Sequence, residues 1–580
     1  MRRKFMNTAK FRSHLMKFPT EELKDILGRN LVDMLIEWTP DNEPLFTKAK
    51  LSDMIITIYG IGKLSDKNFR ISFLHKISKE DILSFQKILR PRDRNTSNLE
   101  DIIIKIAQTP WKENEVTLHF LKLLDVSDYT FPNNSSTETV CQEIESPERF
   151  FELLDYQFVI KQRVLNHLTS GVELNKMLIH MPTGTGKTKT AMHTIIHHYN
   201  FNLEKQGLII WMAHTTELLH QAYDTFAAVW RHIGRENVFA YKLWGSFDIY
   251  DTEAPLNGFL FCGFQKLMSI ADKNANLFQR IIKDCKLIVV DEAHKAAATR
   301  TKSMISQIMI KKEGMCDRAL IGLTATPGRN MSDDVDINRL IGMFDNKSIS
   351  IEPEVLNIVN LTKFKAQNTI PETDIIHYFQ ERNILARINR ERLNYPNTLS
   401  EEELATLRVR ATSNGYDDFS DKFLKILGRN IGRNRAILDK LVAISSENIP
   451  TIVFACSVEH GKLLSTALTL KGIENACVFG DMDAILRAKS TKRFKDREDT
   501  LNVLINYEVL TTGFDATNIR CVFITRPTQS VVLYSQMIGR GLRGPQMGGN
   551  AECLLVDIED NLNKYNESMA FSFFDSYWGN

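Results

Sequence analysis

The sequence is poor in several features that would settle its class at once. Cysteine is scarce: there are eight, at positions 141, 262, 285, 316, 456, 477, 521 and 553, and none forms a CxxC pair. Neither a disulfide framework nor a zinc site is therefore expected, and a reducing cytoplasm fits. An excess of one charge is also missing. Lys and Arg number 73 against 71 Asp and Glu, a formal net charge of +2. That balance excludes a histone-like polybasic binder and an acidic tail protein, but not a local basic groove. No apolar run approaches the roughly 18–20 residues needed to span a bilayer, so no membrane partner is expected. The opening MRRKFMNTAKFRSHLMKF lacks the apolar stretch of a secretory signal. It reads as an ordinary basic first helix in preference to an Arg-rich transit peptide. What the chain does have is apolar mass, 43% of its 580 residues, with 25% charged. It can bury large cores, and its length suggests about three to five domains.

No internal repeat or sustained heptad is visible. The clearest break in composition is residues 128–149, rich in Ser, Thr, Asn, Pro and Glu, which reads as a linker. Residues 1–127 place apolar side chains at helical spacing in EELKDILGRNLVDMLIEW and KEDILSFQKIL, and form a mainly helical accessory domain. Within it, Leu51–Ile61 fits a buried helix or a strand equally well. After the linker the rhythm changes to short β-branched runs, each followed by a turn and an amphipathic helix. KMLIHM, GLIIWM, GFLFC, KLIVVD and ALIGL belong to one α/β unit, residues 150–349. VLNIVNL, TIVFA, ACVFG, NVLIN, CVFIT and ECLLVD belong to a second, residues 350–580, with a helical insertion at about 370–435. The expected fold class is α/β, with parallel sheets flanked by helices.

Chemistry concentrates first at Met181-Pro182-Thr183-Gly184-Thr185-Gly186-Lys187-Thr188, between a strand and a helix. That is the context of a phosphate-binding loop. Gly184 and Gly186 let backbone amides close on phosphate oxygens, with Thr183 and Thr185 beside them. Lys187 would reach the β- and γ-phosphates of ATP, and the Thr188 hydroxyl would ligate Mg²⁺. Met181 replaces the first glycine of the full pattern, so the core GTGKT carries the match. A second strand ends in Asp291-Glu292-Ala293-His294. Asp291 is placed to hold the metal and Glu292 to polarise water at the γ-phosphate.

In these motifs the chain resembles superfamily 2 helicases and translocases of the DEAH type, in the branch of type III restriction helicase subunits and XPB-like proteins. The resemblance covers roughly residues 150–560 and implies two tandem RecA-like domains. Leu154-Asp155-Tyr156-Gln157 is similar to the adenine-reading element, with Gln157 as the reader and Asp155 where the branch usually carries another residue. AHTTELLHQ (213–221) resembles motif Ia, and GFQKL (263–267) resembles motif Ib with Gly263 in place of the usual threonine. Thr324 and Thr326 in LTATPGR resemble motif III, which couples the nucleotide to the nucleic-acid path. Phe454–Ser457 resembles motif IV. NYEVLTTGFD (506–515) resembles motif V and contributes Thr511, Thr512 and Asp515. Gln536, Arg540 and Arg543 match motif VI. The two arginines are three apart, so a helix would turn both to one face as arginine fingers. Thr215 and Ser457 precede helical runs, where they would cap a helix and contact a nucleic-acid backbone.

The resemblance thus implies an ATP- and Mg²⁺-dependent motor on nucleic acid, with DNA favoured. No nuclease motif is present, so in a restriction or phage-defence system cutting would fall to another subunit, docked through the N-terminal domain. A nucleic-acid-sensing ATPase switch and an RNA helicase are the alternatives.

Overall fold

The computed structural model describes residues 8–38, 46–89, 98–126, 141–144, 152–170, 175–249, 256–294, 299–310, 318–325, 340–351, 375–395, 400–407, 410–413, 416–511, 514 and 516–560. The N-terminal unit is helical. Its helices start where side chains satisfy free amides: Thr47 accepts from Lys50, Asp66 from Asn68 and Phe69, Ser78 from Asp81, and Asn114 from Thr117. The ambiguous stretch at Leu51 is resolved as the helix Lys48–Tyr59, because its buried Leu51, Met54, Ile55 and Ile58 follow helical spacing. A core of Phe11, Phe18, Phe69, Phe73, Phe85 and Phe120 holds the unit together.

Among the described residues the first α/β lobe contains eight strands: β1 Cys141–Ile144, β2 Lys176–His180, β3 Leu208–Ala213, β4 Val238–Leu243, β5 Gly258–Gly263, β6 Cys285–Val290, β7 Ala319–Thr324 and β8 Ser348–Ser350. Their spatial order is β1-β4-β5-β3-β6-β7-β2-β8. All pairings are parallel except β1 with β4. Every residue of β3 and β7 is buried, as strands covered on both faces require. β1 corrects the expected linker at 128–149: four residues of that stretch add an antiparallel edge strand.

The second lobe contains β9 Arg387–Asn394, β12 Thr451–Phe454, β13 Asn475–Val478, β14 Val503–Asn506, β15 Cys521–Ile524 and β16 Glu552–Glu559, in the order β13-β14-β12-β15-β16-β9 and wholly parallel. The insertion expected to be helical is mixed. β9 lies within it and pairs along its full length with β16, and β10 Arg410–Ser413 forms a hairpin with β11 Tyr416–Phe419. β9 reads RINRERLN; its polar residues suit a sheet edge, where charge blocks pairing with another chain. The expected strand VLNIVNL lies outside the described residues.

The helical unit is seated on the second lobe. Leu35 is buried in that lobe's core with Ile437, Leu441 and Leu464, while Leu470 and Ile485 of the lobe pack into the helical core. Lys462 lies over the Tyr59 ring at 5.6 Å from its centroid. Both lobes are RecA-like in layering: parallel sheets with helices on their faces, and the loops that matter at the C-terminal strand ends. Among the described residues no helix is long and apolar enough to cross a membrane.

Candidate active site

The phosphate-binding loop leaves β2 and enters the helix Lys187–Phe201. Met181, which replaces the usual first glycine, is fully buried, and its amide donates to the Thr324 carbonyl at 3.1 Å. A large side chain there fills the core beneath the loop and leaves the phosphate-facing residues alone. Gly184 and Gly186 have φ of 86° and 79°, a region that L side chains avoid. A Cβ on Gly186 would also strike the Gln157 amide, and one on Gly184 would stand 3.0 Å from Leu385. The Thr185 hydroxyl turns inward to the Pro182 carbonyl at 2.7 Å, so it braces the loop.

The carboxylates follow β6, whose neighbour β7 separates it from β2, so both stand on the same sheet edge as the loop. Asp291 is buried and its amide is tied to the Met212 carbonyl of β3. Burial pushes its carboxyl up to about 6; nearby Lys187 opposes that rise and the Glu292 charge adds to it. Glu292 sits at φ 49°, a left-handed conformation rare for glutamate, which costs on the order of 1–3 kcal/mol and aims the side chain. One oxygen of Glu292 lies 3.7 Å from Lys187 Nζ and the other 3.4 Å from His294 Nδ1. The same His294 nitrogen is 3.4 Å from Thr324 Oγ1. His294 thus links the carboxylate to motif III, a role the sequence reading missed although the histidine stood in the quoted DEAH string. Thr326 lies outside the described residues.

The donor set fits Mg²⁺: a hydroxyl at Thr188 and a buried carboxylate at Asp291, both hard oxygens. Among the described residues no group of three or more His, Cys, Asp or Glu gathers in metal-binding geometry. A cation here would therefore complete its shell with phosphate oxygens and water.

The opposite wall comes from the second lobe and corrects one expectation. The helix Val531–Ile538 ends at Gly539, so Arg540 and Arg543 do not share a helix face but lie in the turn beyond it. At Gly539, Gly541 and Gly544 the chain passes too close to other atoms for a side chain to fit. A Cβ at Gly539 would collide with the Thr183 side chain, so this turn abuts the phosphate-binding loop. Arg540 donates to the carbonyls of Phe514, Thr511 and Gln536. Burial lowers its pKa to about 10, against the opposing pull of Glu292, which leaves it cationic at neutral pH. Burial also lowers Arg543. Gln536 is buried and its Nε2 has no hydrogen-bond partner among the described residues. Thr511 is fixed from both ends, its hydroxyl on the Glu508 carbonyl and its own carbonyl on Arg540. Thr512 and Asp515 lie outside the described residues.

Gln157, expected to pair with adenine, is hydrogen-bonded within the protein here. Its Oε1 accepts from the Leu154 amide and its Nε2 donates to the Thr185 carbonyl, both at 3.0 Å. Tyr156 OH donates to the same carbonyl at 2.7 Å. In this structure the element clamps the phosphate-binding loop. Thr215 and Ser457 cap their helices as expected, accepting from Leu218 and His460.

Comparison with known proteins agrees with this layout. Residues 150–329 match the family described as Type III restriction enzyme, res subunit, and residues 433–544 match the Helicase conserved C-terminal domain. The chain is 24% identical over 421 residues to a protein of Saccharomyces cerevisiae named as the ATP-dependent helicase IRC3, covering 70% of this chain and 52% of that one. It is 38% identical over 120 residues to a Schizosaccharomyces pombe protein named as the mitochondrial ATP-dependent helicase irc3, covering 21% and 19%. These matches span about half the length of the curated relatives, or less. A fragment described as an HsdR subunit of a type I restriction enzyme from Vibrio vulnificus is 19% identical, with a TM-score of 0.46 over 73% of this chain and 66% of that one. The two family matches fall on the two lobes, in order and around one cleft, and the chain belongs to the superfamily 2 helicases with a Res-type first lobe.

Proposed function

We propose that the chain hydrolyses ATP between its lobes and uses their closure to move along or separate nucleic acid, with DNA as its preferred track. The observation that carries this reading is the opposition of Lys187 and Glu292 to Arg540 across one cleft, with Thr183 against Gly539. Lys187 and the loop amides would hold the β- and γ-phosphates. Thr188 and Asp291 would hold Mg²⁺, which supplies charge neutralisation to the phosphates when bound. Glu292 takes the proton of an attacking water as its oxygen bonds to the γ-phosphorus and the bond to the bridging oxygen breaks. Arg540 and Arg543 stabilise the charge of that transition state, and the buried Gln536 amide, unmatched among the described residues, would donate to the same phosphate or water.

Loss of the γ-phosphate removes what the two walls share, and the lobes separate. Thr324, through His294, ties that event to motif III, and Thr326 would extend the path. Asp515 would meet the nucleotide. Thr215, Ser457, Thr511 and Thr512 would contact a nucleic-acid backbone, giving sequence-tolerant, salt-sensitive binding. Seated on the second lobe, the helical unit would travel with it and carry a nuclease or defence partner.

The test is phosphate release by the purified chain, alone and with single-stranded DNA, duplex DNA or RNA, with Lys187→Ala as the blank. Strong stimulation by DNA supports the reading, stimulation by RNA alone reassigns the track, and turnover indifferent to Lys187 overturns it.

A further inference from the structure

A short segment at the start of the second lobe touches both walls of the cleft. The helix Ile375–Glu381 packs on the first lobe, where Phe379 meets Tyr156 edge-on at 4.9 Å between ring centroids. Arg382 then donates to Asp155 at 2.9 Å, an ion pair between residues far apart in sequence, with side chains only 22% and 10% exposed. The guanidinium also donates to Tyr378 OH and lies 5.3 Å from the centre of that ring. Asp155 opens the helix Asp155–Leu168, where a negative charge is favoured by the free amides.

The next few residues belong to the opposite wall. Ala386 N–H donates to the Leu542 carbonyl at 2.8 Å, Gly544 N–H to Ile384 at 2.9 Å, and Gln546 N–H to Asn383 at 3.0 Å. Leu385 bridges to Arg543 as a strand pair and stands over Gly184. On the other side, Tyr156 and Gln157, the neighbours of Asp155, both hold the Thr185 carbonyl. Residues 375–386 therefore form a strap from the phosphate-binding loop to the arginine turn, and the Arg382–Asp155 pair is its charged joint between lobes. A pair so shielded from water holds a fixed geometry, and breaking one partner leaves a charge uncompensated.

We propose that Arg382 is a positioning residue for ATP hydrolysis: paired with Asp155, it sets the distance at which the turn carrying Arg540 and Arg543 faces the phosphate-binding loop. This rests on the hydrolysis reading above. The pair touches no reacting atom, so its loss acts on turnover through arginine placement and largely spares nucleotide binding.

The experiment compares wild type, Arg382→Glu, Asp155→Arg and the double charge swap in the full chain. It reads the Lys187-dependent kcat, the affinity for a non-hydrolysable ATP analogue, thermal unfolding, and small-angle scattering. Each single reversal is expected to lower kcat about ten- to hundredfold, within the usual range of coupling between sites, and to enlarge the radius of gyration. Analogue affinity should change less than about threefold, and the swap should recover most of both losses. Unchanged kcat in the single reversals overturns the proposal. So does a swap that restores thermal stability while staying as slow as the worse single variant. If wild-type turnover proves independent of Lys187, the hydrolysis reading falls, and the strap is judged by scattering: reversals that leave the radius unchanged remove it too.

Discussion

The two lobes share a layered sheet but treat buried charge in opposite ways. In the second lobe three buried arginines away from the cleft are closely paired with carboxylates. Arg433 meets Asp560 at 2.6 Å while donating to the Thr525 carbonyl and Cys456 Sγ. Arg390 meets Asp557 at 3.0 Å, and the Tyr534 hydroxyl donates to the same carboxylate. Arg526 joins Asp418 to Glu508, and Asp418 also receives Thr528 and the Gln529 amide. These pairs lie beneath motifs IV, V and VI and fix the loops that carry them. In the first lobe the charges converge on the cleft but remain loose: Glu292 stands 3.7 Å from Lys187 and 3.4 Å from His294, and burial raises the pKa of the Asp291 carboxyl. One lobe is a preset wall; the other keeps charge that a phosphate and a cation would complete.

Breaking the loose side should remove chemistry. Lys187→Ala is expected to bring phosphate release to background, the largest effect in the molecule, with cooperative unfolding retained on heating. Substitutions on the preset side should also cut turnover. Arg543→Ala should lower it by about 10³-fold or more, the range of arginine fingers. Arg540→Ala should lose turnover similarly and also lower stability. It withdraws donors from three carbonyls, and a buried unsatisfied group costs about 1–3 kcal/mol. Chemical denaturation beside kinetics checks this; an Arg540→Ala variant as stable as the wild type would mean that Arg540 does not splint motif V.

Deep in the preset lobe the effect should be on folding alone. Arg433→Met leaves Asp560 buried without its partner and should cost about 3–5 kcal/mol in denaturant unfolding. The protein that remains folded should turn over near the wild-type rate, because Arg433 touches neither wall of the cleft. A drop in kcat larger than the drop in folded fraction would show that the two functions are not separate.

How much of this was legible in the sequence depended on whether the signal was contiguous. GTGKT and DEAH are short strings whose chemistry needs those residues side by side, and both fell where the strand pattern put them. The arginine turn was misjudged because spacing of three suggests a helix face, although the glycines of Gly539-Arg540-Gly541 signal a helix stop. β9 lies in the stretch expected to be a helical insertion because half of RINRERLN is charged; its partner β16 comes much later, and only pairing makes it a strand. Gln157 matched its motif, but its amide is taken by Leu154 and Thr185, a contact that no spacing rule contains. Arg382 carried no signal, since what defines it is Asp155 on the other lobe.

The smallest expected effect probes the two lobes at matched places. Thr215 follows β3 and Ser457 follows β12, and each caps the next helix with its hydroxyl oxygen, at 3.2 and 3.1 Å. Replacing either by alanine should cost about 1 kcal/mol of stability through the lost cap. Their exposure differs: Ser457 is 5% exposed, whereas Thr215 is only partly covered. The hydroxyl proton of Thr215 is therefore more open to a phosphate than that of Ser457. Thr215→Ala should weaken nucleic-acid binding about two- to tenfold, the worth of one modest hydrogen bond, and Ser457→Ala should weaken it less. Thr215→Asp separates the two roles of that side chain, because aspartate caps well and repels phosphate. It should restore thermal stability and bind more weakly than alanine, most clearly at low salt, where repulsion is least screened. If Thr215→Asp restores both stability and affinity, Thr215 serves its helix alone, and the nucleic-acid path runs elsewhere on the first lobe.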